Sequence, residues 1–196
     1  MGSGPVNSTG LGLRSRIRAR VLAPRLRRLQ LLVCDVDGVL TDGGLHYDEA
    51  GRVLKRFDVR DGLAVRMLQR AGITVALLSG GRSGAIEQRA RHLEITHCRV
   101  GVGDKLAGLE QLQKELAMTP ELTAFLGDDL NDLVVRPAVG LLITPSDAAP
   151  GLRRRADWVL RKCGGAGAVR ELAEGILASH GQWRQLQRQG WREING

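Results

Sequence analysis

Two stretches of this sequence crowd carboxylates at the exits of apolar runs. Cys34-Asp35-Val36-Asp37-Gly38 sets two acids two residues apart, and Gly127-Asp128-Asp129-Leu130-Asn131-Asp132 puts three acids within five residues. Alone, Asp-x-Asp-Gly is also the composition of an ordinary turn. Packing three like charges together, however, costs free energy unless a cation or a basic group compensates. A hard cation such as Mg²⁺ takes oxygen ligands and keeps several waters, so the carboxylates of Asp35 and Asp128 would suffice to hold it. A cation there would draw an anionic phosphate close enough for Asp35 to attack. Lys105, in GVGDKLAGL, opens a helical pattern, where an ammonium and free N–H groups could hold the same phosphate. Standing alone it would be a solvated surface lysine. Leu78-Ser79-Gly80-Gly81 ends a further apolar run, with Ser79 available as a helix cap or as a ligand-binding hydroxyl.

The elements that would position these residues follow from the pattern around them. Short apolar runs (LQLLVCDV, ITVALLSG, ITHCRVGV, LTAFLGDD, VGLLIT, DWVL) alternate with helical segments at Asp61 to Ala71, Ser83 to Leu93, Asp104 to Ala117 and Ala166 to Ser179. Six buried strands with intervening helices predict an α/β fold, a doubly wound, Rossmann-like parallel sheet flanked by helices. Ligands of such a sheet bind beyond the carboxyl ends of its strands, where the polar residues above fall. Residues 45–57 break the rhythm: LHY, DEAG and RVLKRF read as a small β-hairpin inserted after the first strand.

Composition excludes other classes. No window approaches 18 uncharged apolar residues and no signal peptide opens the chain, so a cytoplasmic protein with no membrane partner is expected. Cys34, Cys98 and Cys163 are odd in number and widely spaced, which argues against a disulfide scaffold and predicts reduced, mostly buried thiols. The formal net charge of +8 lies at the ends: seven arginines and no acid fall in residues 1–30, while residues 31–180 carry −1. A basic arm on a neutral body with few aromatics is poor support for a nucleic-acid partner. The expected organisation is a basic, disordered arm over 1–28, a catalytic domain over 29–180, and a C-terminal tail over 181–196. Within the arm, Leu13, Ile17, Val21 and Leu22 recur at helical spacing before Pro24.

DVDGVLTDG, LLSGG, the single Lys105 and GDDLND occur in the order of the four motifs of the haloacid-dehalogenase-like phosphatase superfamily. The run from DVDGVLTDGG to LQRAGI further resembles the 3-deoxy-D-manno-octulosonate 8-phosphate (KDO 8-phosphate) phosphatase family, and the resemblance covers residues 29–180. It implies a Mg²⁺-dependent phosphoric monoester hydrolase of lipopolysaccharide sugar synthesis. Asp35 would be the nucleophile and Asp37 the general acid and then base. Ser79, Gly80 and Lys105 would hold the phosphoryl group, with Thr41 as a further substrate contact. The metal would be bound by Asp35, the Asp37 carbonyl and Asp128, supported by Asp129 and Asp132. Arg60 would either pair with the substrate carboxylate or form an ion pair with Asp58 or Asp61.

Only 23 residues separate Asp37 from Asp61 and 22 separate Lys105 from Asp128, so no separate cap domain fits. Relatives without caps form tetramers whose hairpins complete one another's sites, which implies a homotetramer. One departure bears on the substrate: the family has Arg directly after Ser-Gly, whereas here Gly81 intervenes before Arg82. A nonulosonate 9-phosphate is therefore the alternative substrate, and a non-catalytic oligomerisation module of the same fold the alternative class.

Overall fold

The computed structural model describes residues 12–82 and 84–192. In chain order its elements are α1 (Leu13–Leu26), β1 (Leu31–Cys34), β2 (His46–Tyr47), β3 (Val53–Leu54), α2 (Val59–Arg70), β4 (Thr74–Leu78) and α3 (Gly84–His92). There follow β5 (His97–Arg99), α4 (Lys105–Glu115), β6 (Thr123–Leu126), β7 (Leu141–Thr144), the one-turn α5 (Pro150–Arg153), β8 (Trp158–Val159), α6 (Ala168–Ser179) and α7 (Trp183–Gln189). A 3₁₀ segment, Leu130–Ala138, lies between β6 and β7.

Six strands form a sheet in the order β5-β4-β1-β6-β7-β8, every pairing parallel, as the alternating apolar runs predict. Because side chains alternate across a strand, the two faces separate cleanly. Leu32 and Cys34 of β1, Val75 and Leu77 of β4 and Leu126 of β6 face a core shared with α1, α2 and α6. Leu31, Val33, Ala76, Leu78 and Phe125 face a second core against α4 and the 3₁₀ segment. Chain order reverses at β1, which has β4 on one side and β6 on the other. That switch point opens the crevice in which a doubly wound sheet binds ligands.

The hairpin forms β2 and β3, paired antiparallel outside the main sheet. Its turn follows from DEAG: the Asp48 carboxylate accepts from the N–H groups of Ala50 (3.0 Å) and Arg52 (2.8 Å), and Gly51 takes a left-handed φ of +74°. Val53, Lys55 and Phe57 are half-buried while Arg52, Leu54 and Arg56 are exposed, the period of two expected of an extended segment.

The N-terminal stretch departs from expectation. Residues 1–11, the greater part of the Gly/Ser-rich start expected to be disordered, lie outside the described residues. Residues 13–26, however, are a packed helix and not an arm, and the helix runs through Pro24. Its packed face is also not the one the apolar spacing suggests. Leu13, Ile17 and Val21 are exposed, whereas Ser15, Ala19, Leu22 and Leu26 are buried toward α6. Small residues let the helix approach closely enough for the Ser15 hydroxyl to donate to Glu171, whose other oxygen accepts from the N–H groups of Arg161 and Lys162 (2.9 Å each). At the other end Trp183 is buried beneath the Arg170 guanidinium, 5.3 Å from the ring centre, and Arg70 stacks at the same distance over Trp191. The described part of the tail therefore packs on its own helices. Of the thiols only Cys34 is buried; Cys98 is half-buried and Cys163 exposed, and all are free.

Candidate active site

Asp35 follows β1 directly, and parallel pairing brings the ends of β4 and β6 to either side of it, at Ser79 and at Gly127-Asp128. From the helix after β5 comes Lys105, the first residue of α4, whose N-terminus is capped by Asp104 accepting from the Ala107 N–H at 3.0 Å. Lys105 is 3% exposed, and its ammonium lies 2.9 Å from Asp35 Oδ2 and 2.5 Å from Asp132 Oδ1. Burial pulls that ammonium down, but the charges and hydrogen bonds of Asp35 and Asp132 outweigh it and hold the lysine above its ordinary pKa. The surface-lysine reading does not survive.

Asp132 is fully buried and spends its oxygens on the protein. Besides Lys105 it accepts from the N–H groups of Asp128 (2.8 Å) and Asp129 (3.3 Å), while Asp129 accepts from Leu130 (2.7 Å) and caps the 3₁₀ segment. Those bonds hold the acidic loop in one shape. They leave Asp128, and the Asp35 oxygen not paired with Lys105, to take a ligand.

Oxygens of Asp35, Asp128 and Asp132 lie within 4.8 Å of one another. Burial, then the charge of Asp132, pushes Asp35 up to about 6 despite Lys105. Burial followed by the charges of Asp132, Asp35 and Asp129 pushes Asp128 up to about 7. One ammonium does not balance this cluster, and a divalent cation would. The donor set, hard carboxylate oxygens, fits Mg²⁺. Gly38 shows how tightly the loop is drawn: it has φ +80°, and a Cβ there would overlap the Asp128 carboxylate.

Beside Asp35 the loops after β4 and β5 bond each other, Val102 N–H to the Ser79 carbonyl and Gly101 N–H to the Gly81 carbonyl, both at 3.0 Å. Ser79 is buried, with Oγ accepting from the Gly81 N–H at 3.1 Å; Gly80 is exposed beside it. A Cβ on Gly81 would stand 3.0 Å from Asp37 Oδ2 and 3.5 Å from Ser79 Oγ, so Asp37 borders this loop. The Arg82 side chain lies along Gly101 of the neighbouring loop.

Two expected substrate residues are placed differently. Thr41 is fully buried, and its hydroxyl accepts from the N–H of Gly43 at 3.2 Å, so it braces the loop. Arg60 takes the ion-pair alternative: Nη2 lies 2.6 Å from Asp58 Oδ2, and it also donates to the Ala166 carbonyl at 3.2 Å.

Two features escaped the motifs. The Cys163–Ala166 turn backs the loop that follows Asp35, with Gly165 N–H donating to the Val39 carbonyl at 2.9 Å and Gly164 too close to the Gly38 carbonyl to carry a Cβ. Lys55, leaving the hairpin, places its ammonium on Asp37 Oδ1 with its side chain only 2% exposed. The one available signal was parity, since Lys55 shares the inward alternation of Val53 and Phe57.

A doubly wound sheet carrying Asp-x-Asp, Ser, Lys and an acidic loop at successive strand ends is the architecture of the haloacid-dehalogenase-like phosphatases. No protein-family model matches the chain. It is 44% identical over 153 residues, covering 78% of the chain and 82% of the relative, to the KDO 8-phosphate phosphatase KdsC of Yersinia pestis. To that of Escherichia coli strain K12 it is 41% identical over 166 residues, 85% of this chain and 88% of the other. The Moraxella catarrhalis KDO 8-phosphate phosphatase, solved with magnesium, phosphate and KDO, superposes with a TM-score of 0.83 at 34% identity, covering 86% of this chain and 97% of that one. The chain belongs to the KDO 8-phosphate phosphatase family.

Proposed function

We propose that this chain hydrolyses KDO 8-phosphate to KDO and inorganic phosphate, with Mg²⁺ as cofactor. The observation that carries the reading is Asp35, Lys105, Asp128 and Asp132 gathered at the switch point of the sheet. Asp35 attacks phosphorus while the bond to the sugar oxygen breaks and Asp37 protonates that oxygen. An aspartyl-phosphate is left on Asp35. Asp37 then takes a proton from the attacking water, and phosphate departs. Lys105 Nζ and Ser79 Oγ hold the phosphoryl oxygens throughout, and Gly80 leaves its backbone free to approach them. When bound through the Asp35 and Asp128 carboxylates and the Asp37 carbonyl, Mg²⁺ supplies charge neutralisation for the phosphoryl group. Asp129 and Asp132 keep the ligands oriented.

Phosphate release tests this across KDO 8-phosphate, nonulosonate 9-phosphates and hexose phosphates, with and without Mg²⁺. Mg²⁺-dependent preference for KDO 8-phosphate is expected. Preference for a nonulosonate phosphate would trace to Gly81, whose missing side chain widens the space beside Asp37. No release from any substrate by folded protein would favour the non-catalytic module.

The finer organisation belongs to the same proposal. Among the described residues no helix is long and apolar enough to cross a membrane, and a cytoplasmic enzyme is the reading adopted. The hairpin and its exit expose Leu45, Tyr47, Leu54 and Val59, the last 80% exposed. Such a patch suits burial against copies of the chain, and a homotetramer is expected in sedimentation at micromolar concentration. The catalytic unit is taken to begin at α1 and to include α7.

A further inference from the structure

The hairpin's inward lysine bears on the chemistry more directly than its distance from the four motifs suggests. Lys55 contacts the one carboxylate in the site that must both give and take a proton. Asp37 keeps about a third of its side chain exposed (32%), so packing alone does not hold it in one orientation. The Lys55 ammonium sits on Oδ1, and Thr41 Oγ1 is 3.5 Å from the same oxygen. Oδ2 is the oxygen that faces the Ser79–Gly81 loop, as the 3.0 Å approach of a Cβ on Gly81 shows. An ammonium has donors only. Oδ1 must therefore accept in this pair, and a proton carried by Asp37 resides on Oδ2, on the side of the phosphoryl group. The side chain of Lys55 is enclosed, so leaving Asp37 would strand a buried charge.

We infer that Lys55 is a positioning residue for the reaction: delivered by the hairpin, it orients Asp37 so that Oδ2 carries the catalytic proton to the leaving oxygen and takes one back from water. In the first step Oδ2–H passes its proton to the ester oxygen, the electron pair of the breaking P–O bond goes to that oxygen, and phosphorus becomes bonded to Asp35. This rests on the phosphatase reading above.

The test compares Lys55→Met and Lys55→Gln with wild type on KDO 8-phosphate, whose alkoxide must be protonated to leave, and on p-nitrophenyl phosphate, whose phenolate leaves unaided. The nitrophenol burst isolates the first step. A kcat loss of about 100-fold on the sugar phosphate is expected, with KM and the nitrophenol burst within about 3-fold of wild type. Lys55→Arg should recover part of the loss, and adding Lys55→Met to Asp37→Asn should cost nothing further on the sugar phosphate. A loss in the nitrophenol burst equal to the loss of kcat on the sugar phosphate, a change in KM alone, or additivity with Asp37→Asn would each overturn the inference, because Lys55 would then be serving the fold or the phosphate. If Lys55→Met does not fold, the smaller polar Lys55→Gln carries the same comparison. Wild-type protein that releases phosphate from neither substrate would overturn the phosphatase reading and this inference together, whereas an active wild type with indifferent variants overturns the inference alone.

Discussion

At Asp35 and Asp37 two carboxylates two residues apart do different work because their surroundings differ. Asp35 is buried against Lys105, while Asp37 is partly open and paired to Lys55. Asp35→Asn should abolish measurable phosphate release while circular dichroism stays unchanged, since no other group there can form the covalent bond. Asp37→Asn should lower kcat on the sugar phosphate by about 10²–10⁴-fold in steady-state assays. A third acid, Asp61, contributes to stability. It is 1% exposed and accepts from the N–H groups of Gly167 (3.1 Å) and Arg170 (2.8 Å) at the start of α6, yet burial outweighs those bonds and pushes its pKa up to about 6. Between about 4 and 6 the folded state thus holds a proton that the unfolded state has released, so stability falls as pH rises through that window. The loss is at most about 3 kcal/mol, two units at roughly 1.4 each. Urea titrations from pH 5 to 8 should show the stability difference of wild type over Asp61→Asn shrinking as pH rises. The motif residues were legible because strand ends, acids and glycines signal themselves in one dimension; Lys55 and Thr41 were not, since their roles depend on which way a loop turns them.

Among the elements, α1 shows how an apolar spacing can mislead. Its large aliphatics Leu13, Ile17 and Val21 mark an amphipathic helix, but the buried face is the one carrying Ser15 and Ala19, because contact with α6 rewards close approach and the Ser15–Glu171 bond. Leu26→Ala should therefore cost about 2–5 kcal/mol in denaturant melts, as for any fully buried leucine. Ile17→Ala should cost little. Loss of stability on deleting residues 1–28 would distinguish this packed helix from a free arm. Arg18, Arg25 and Arg27 bond to the carbonyls of Asp157, Gly140 and Ser179, so part of the basic cluster is structural. The hairpin, the six strands and the four main helices were legible from their periods and punctuation. The 3₁₀ segment, α5 and α7 were not, being short and set by what they pack against.

For the molecule as a whole, the acidic cluster couples metal to fold. A cation that binds the native but not the unfolded chain stabilises it by mass action, about 2.7 kcal/mol at a hundredfold excess over Kd. Adding Mg²⁺ to chelator-treated protein should raise the melting midpoint and restore activity, and Asp128→Asn should blunt both in calorimetry and assay. The exposed hairpin patch makes the assembly testable as well: Leu54→Arg should shift sedimentation toward smaller species.

By itself the sequence determined the class of chemistry and the architecture, because both are written in local terms: hydrophobic period, glycine at turns, and acids at the ends of apolar runs. Tertiary structure alone decided which of those groups meet. It made Lys105 the buried partner of Asp35 and Asp132, paired Arg60 with Asp58, turned Thr41 inward, brought Lys55 from the hairpin onto Asp37, and folded residues 13–26 into α1. Each outcome depends on contacts between residues remote in the chain, and burial, which sets the energy of every such charge, exists only once those contacts have formed.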